Sequence, residues 1–89
     1  MKLKFRAELR KQNERGAWTY FLIEREHAQK LGQKGYIKVK GKIDTHDFKG
    51  IKIMPMGDGK YFFPVKEDIR SKIGKQKGDR VTVELEVDH

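Results

Sequence analysis

The feature that most constrains this chain is an order of elements that occurs twice. In residues 2–9, Leu3, Phe5, Ala7 and Leu9 fall between Lys2, Lys4, Arg6 and Glu8, the period of two expected of a strand with one buried face. Residues 10–16 are polar, end on a glycine and read as a hairpin connection. Residues 17–23, AWTYFLI, are apolar on both faces and rich in aromatic and β-branched side chains, which predicts a strand covered on both sides. Glu24 and Glu26 then precede Lys30 and Gly32, the charge order and glycine stop of a short helix over 24–31 with Ala28 and Leu31 as its apolar stripe. Ile37, Val39, Gly41 and Ile43 alternate with Lys38, Lys40 and Lys42 in the strand that closes this first round.

The second round follows a polar turn over 44–47. Residues 48–54 form a strand whose phase slips between Phe48 and Ile51, which places a β-bulge at Gly50. Pro55 and Gly57-Asp58-Gly59 mark a tight turn, and residues 61–65 are again apolar on both faces, with Pro64 suited to a strand end. Residues 66–73 repeat the helix, with Glu67 and Asp68 early, Lys72 late, Gly74 as stop and Ile69 and Ile73 as stripe. Val81, Val83, Leu85 and Val87 alternate with Arg80, Thr82, Glu84 and Glu86 in the last strand.

Three anchors align the two rounds in the same order. Tyr20-Phe21-Leu22 matches Tyr61-Phe62-Phe63, Leu31-Gly32 matches Ile73-Gly74, and Lys34-Gly35 matches Lys77-Gly78. The reading is one domain over 1–89, built of two β-β-α-β repeats over about 3–43 and 48–87. One copy is too small to bury a core, but two copies about a pseudo-twofold axis can close a barrel and remove most exposed edges. The expected fold is mainly β: a six-stranded closed or pseudo-closed barrel capped by two short helices.

Charge and composition limit function. The net charge of +8 favours polyanionic partners, while the competing reading is an ordinary solvated surface. Cysteine is absent, which removes disulfides, thiolate nucleophiles and cysteine-based zinc sites together. No apolar run reaches the roughly 20 residues of a membrane helix, and the amino terminus alternates instead of presenting a signal-peptide block. The expectation is a cytoplasmic protein with no membrane partner.

Several of these residues carry a family resemblance: Trp18, Leu31-Gly32, the Phe48 strand, Gly57-Asp58-Gly59, Val65-Lys66-Glu67-Asp68-Ile69-Arg70, Gly74 and Gly78-Asp79-Arg80-Val81-Thr82-Val83. The chain resembles, over almost its whole length, the small bacterial family catalogued as domain of unknown function 1905. Phe63-Pro64 departs from the plain apolar pair of that pattern. The resemblance implies a double-split β-barrel of the kind built by AbrB-like transcription factors and antitoxins, in which two short chains make one barrel. A single duplicated chain would replace that dimer, so a monomer is expected, with a dimer left open. The family brings no established activity.

No catalytic constellation emerges from the residues. Ser71, the only serine, lies in a lysine-rich helix with no histidine near it in sequence. Asp44, His46 and Asp47 crowd a turn without metal-site spacing, and Gly57-Asp58-Gly59-Lys60 lacks the spacing and helix of a phosphate loop. Glu84 and Glu86 share a strand face, where they would balance neighbouring lysines. We therefore expect no enzyme, no cofactor and no metal.

Lys38, Lys40 and Lys42 form a row spaced by about 7 Å on one strand face, and with Lys30 and Lys34 they make the most basic surface in the sequence. Edge protection by lysine is the competing explanation. Trp18, Tyr20, Tyr36 and Tyr61 are candidate stacking platforms, most of them also expected in the core. The leading expectation is a non-enzymatic binding domain for DNA or RNA through Lys30, Lys34, Lys38, Lys40 and Lys42. The alternatives are a small-anion pocket lined by Trp18, Tyr61, Lys66 and Arg70, or a protein-interaction module.

Overall fold

The computed structural model describes residues 2–11, 19–32 and 35–88 of the chain. Its strands are β1 (Leu3–Glu8), β2 (Arg10–Lys11), β3 (Thr19–Ile23), β4 (Ile37–Ile43), β5 (His46–Pro55), β6 (Tyr61–Pro64) and β7 (Arg80–Val87). Helix α1 (Arg25–Ala28) continues into a single 3-10 turn, Gln29–Leu31, and α2 spans Glu67–Ile73. The strands form one antiparallel sheet in the order β1-β7-β4-β5-β6-β3-β2. Because β1 and β2 are separated only by Leu9, the sheet begins and ends on the same stretch of chain and rolls into a nearly closed barrel.

The described residues form seven strands, not the six expected. At Leu9 the chain leaves the β7 ladder. The Leu9 N–H donates to the Asp79 carbonyl at 2.8 Å, and the Leu9 carbonyl accepts from the Gly78 N–H at 2.9 Å. Arg10 and Lys11, read from sequence as the start of a connection, then pair with Tyr20 and Thr19 of β3. One alternating stretch thus serves two neighbours, and its bend at Leu9 divides it. β5 is shared in the same way: residues up to Ile53 pair with β4, and Met54 and Pro55 pair with Phe62 and Tyr61 of β6.

Alternation places the core. Phe21, Ile23, Ile37, Val39, Ile43, Ile53, Phe63, Val81, Val83 and Leu85 are buried in a single cluster, joined by Ala28 and Leu31 from the first helical segment and Ile69 from α2. Phe63 sits at its centre, stacked on Phe21 with centroids 4.5 Å apart and edge-on to Phe48 at 5.1 Å. Both geometries suit the ring quadrupole. The other faces of β3 and β6 carry a second apolar contact, where Tyr20 stacks on Phe62 at 4.7 Å. Cross-strand pairing of Tyr20 with Pro64 and Leu22 with Phe62 explains why these two strands are apolar on both sides. Pro64 is tolerated as the last residue of β6, as its position in the sequence predicts.

The bulge expected at Gly50 is present. Phe48 pairs with Gly41 and Ile51 with Val39, so one more residue lies on β5 than on β4 between these pairs. Gly50 takes the left-handed φ of 70° there, and its N–H donates to the Asp88 Oδ2 at 3.1 Å. The first helix is shorter than predicted: four α-helical residues tighten into the 3-10 turn before Gly32. No helix among the described residues is long and apolar enough to cross a membrane.

Candidate nucleic-acid interface

β4 owes its functional interest to strict alternation. Ile37, Val39 and Ile43 fill the barrel, so Lys38, Lys40 and Lys42 must project from its outer face. Their neighbours are decided by register. Lys42 lies between Glu84 of β7 and Asp47 of β5, and Glu84 in turn pairs with Lys4 of β1. The row Lys4–Glu84–Lys42–Asp47 therefore alternates in sign across four strands. Lys40 opposes Glu86, with Nζ and Oε1 4.0 Å apart. Both partners are substantially exposed, so this pair contributes well under about 1 kcal/mol. The β7 glutamates balance lysines, as expected from the sequence.

Lys38 is different. Its partner across β5 is Lys52, a like-charge pair on directly opposed residues. Such a pair destabilises a sheet by a few tenths of a kcal/mol up to about 1 kcal/mol. Asp88, whose N–H donates to the Lys38 carbonyl at 2.8 Å, directs its carboxylate to the Gly50 N–H instead. The Gly50 bulge also turns Lys49 outward, and Lys49 joins Lys2, Lys40 and Lys42 around an open groove of about 510 Å³, with Glu84 and Glu86. Lys49 and Lys52 are the residues that reading the sequence missed. Three apart, they would face opposite ways on a regular strand, and only the extra residue at Gly50 puts both outside. The signal was already in the phase slip.

Of the other predicted residues, Lys30 is exposed on the 3-10 turn, and Lys34 lies outside the described residues. The predicted pocket set is spread over different settings. Trp18 lies outside the described residues, Tyr61 is buried in the barrel core, and Lys66 is the exposed N-terminal cap of α2. Arg70 lines a separate hollow of about 310 Å³ on α2 with Glu67, Ser71, Lys75 and Gln76. Its Nε is buried and has no hydrogen-bond partner among the described residues.

The residues weighed for catalysis and metal binding have structural contacts. The Asp44 N–H donates to the Thr82 carbonyl, and its Oδ1 accepts from the Thr82 N–H, at 2.8 and 2.9 Å, clipping the β4–β5 turn to β7. Elsewhere in the fold, His27, given no role from the sequence, stacks on Phe5 at 4.8 Å. Among the described residues, no three His, Asp or Glu side chains come together as metal ligands.

Residues 5–85 match the family described as Domain of unknown function (DUF1905). The chain belongs to that family. No curated protein matches the sequence. The DUF1905 match takes in the whole of β4 and β5 and most of β1 and β7.

Proposed function

We propose that this DUF1905 chain is a non-enzymatic binding domain that holds nucleic acid on the outer face of β4 and β5. The observation that carries the reading is the opposed Lys38–Lys52 pair. A like-charge pair of this kind disfavours folding, and neither lysine forms a salt bridge among the described residues, so a polyanion laid along the sheet would relieve it. Lys40, Lys42 and Lys49 extend the track in one direction. Glu84 and Glu86 oppose phosphates on the β7 side and Asp47 does so beside Lys42, which favours a path along Lys38, Lys52, Lys40 and Lys49. The net charge of +8 adds long-range attraction.

The test is fluorescence anisotropy with labelled oligonucleotides across a salt series. Lys38→Glu/Lys40→Glu/Lys42→Glu should weaken binding by more than about 100-fold and flatten the salt dependence. Two of those glutamates would face Glu84 and Glu86, so the milder Lys38→Gln/Lys52→Gln serves as the decisive partner. Removing the like-charge pair should raise stability by a few tenths of a kcal/mol while weakening binding roughly tenfold. Affinity unchanged in both variants would end this reading.

A second reading rests on the buried, unpartnered Nε of Arg70. A small oxyanion in the α2 hollow would satisfy it, with Lys75 and Gln76 alongside. Phosphate at constant ionic strength should then raise the melting temperature, and Arg70→Lys should abolish that rise. An identical melting curve with and without phosphate rejects this reading.

The duplicated, AbrB-like architecture is also a proposal. Exchanging β1 with β5, β3 with β6 and β4 with β7 turns the pairing scheme onto itself. β1·β7 becomes β5·β4, and β3·β6 and β4·β7 map onto themselves. The split attachments of β1–β2 and of β5 correspond as well. Both helical segments stop on a left-handed glycine, Gly32 at φ 67° and Gly74 at φ 68°. These correspondences support one chain doing the work of two.

A further inference from the structure

Resting on the nucleic-acid reading, and going beyond it, we propose that the ligand is single-stranded and that Tyr36 is the platform on which one of its bases stacks. Tyr36 immediately precedes β4, in step with Lys38, Lys40 and Lys42. Tyr36 is 68% exposed, whereas Tyr20 is packed on Phe62 and Tyr61 lies in the core. A tyrosine left in water at the end of a lysine row exposes a ring that the fold does not use. Tyr36 lies two residues before Lys38, whose partner across the β4–β5 ladder is Lys52.

The spacing favours a single strand. Alternate residues along β4 are about 7 Å apart, comparable to successive phosphates of an extended strand. A base on Tyr36 would bring its neighbouring phosphates to Lys38 and Lys52 and then to Lys40. Aromatic stacking tolerates any base, so the interface would read chain chemistry more than sequence. A duplex keeps its bases stacked inside and could offer Tyr36 no ring face.

The experiment compares oligo(dT), oligo(U) and a DNA duplex of equal length by anisotropy, on the wild-type chain, Tyr36→Ala and Tyr36→Phe. Single strands should bind wild type more tightly than duplex, and the oligo(dT) and oligo(U) arms separate DNA from RNA. Tyr36→Ala should lose roughly tenfold or more on single strands, while Tyr36→Phe stays within about twofold and duplex affinity is unmoved in both. Tyr36 is exposed, so circular dichroism should register no change of fold. Equal losses on duplex and single strands, or no loss in Tyr36→Ala, would overturn the stacking role while leaving the nucleic-acid reading standing. Binding of none of the three probes at low salt would overturn both.

Discussion

Gly41→Ala should unfold this domain at physiological temperature. Gly41 lies in the middle of β4, between Leu85 of β7 and Phe48 of β5, beside the bulge. Its φ of 155° is a conformation that residues with a side chain rarely adopt. A Cβ built there would overlap the Glu84 carbonyl oxygen and lie 2.8 Å from both the Glu84 carbonyl carbon and the Leu85 Cα. All of these are backbone atoms of a central strand, with no flexible side chain to swing aside. Separating β4 from β7 would break the sheet at its centre, so we expect a loss of at least about 4 kcal/mol. Against a total stability on the order of 5–10 kcal/mol for a chain of this size, that is most of what holds the fold. Gly50→Ala is the control, since Gly50 is left-handed with nothing within 4 Å of the added Cβ. It should cost only about 1–2 kcal/mol. Urea unfolding of both variants separates steric overlap from backbone strain, and equal losses would refute the close-approach explanation.

Phe63→Ala should cost about 3–5 kcal/mol. The ring is wholly buried and holds Phe21 and Phe48 in one aromatic group. These rings come from β6, β3 and β5, so the truncation opens a cavity where three strands meet. Phe62→Ala, one residue away on the opposite face, removes a ring that stacks on half-exposed Tyr20 and should cost less. A melting temperature for Phe63→Ala at or above that of Phe62→Ala would place the centre of the core elsewhere.

Much of the architecture is legible in the amino-acid sequence. Period two predicts which faces of β1, β4 and β7 are buried, because a pleated strand sends alternate side chains to opposite sides and only one side is dry. The glycine stops at Gly32 and Gly74 and the slip at Gly50 announce themselves through residue type, since these backbone conformations are local. The solvent-facing lysines of β4 follow from the same alternation. Local chemistry therefore determined the elements, their faces and the positions of the breaks.

What the tertiary structure decided is which residues stand opposite one another. Register is a property of two strands at once, and no single strand contains it. Register pairs Lys38 with Lys52 but gives Lys42 the carboxylates of Glu84 and Asp47, separating a like-charged pair from a row of alternating sign. It also makes Gly41 indispensable, through Glu84, forty-three positions along the chain. Leu9 likewise divides the first strand because Gly78 and Asp79 hold its backbone on the β7 side while Arg10 and Lys11 pair with β3 at the other end of the sheet. The sequence by itself determined the strands and their wet and dry faces. Long-range pairing decided the strand count and the charge pattern on the outer face, because hydrogen-bonded neighbours in a barrel are set by closure.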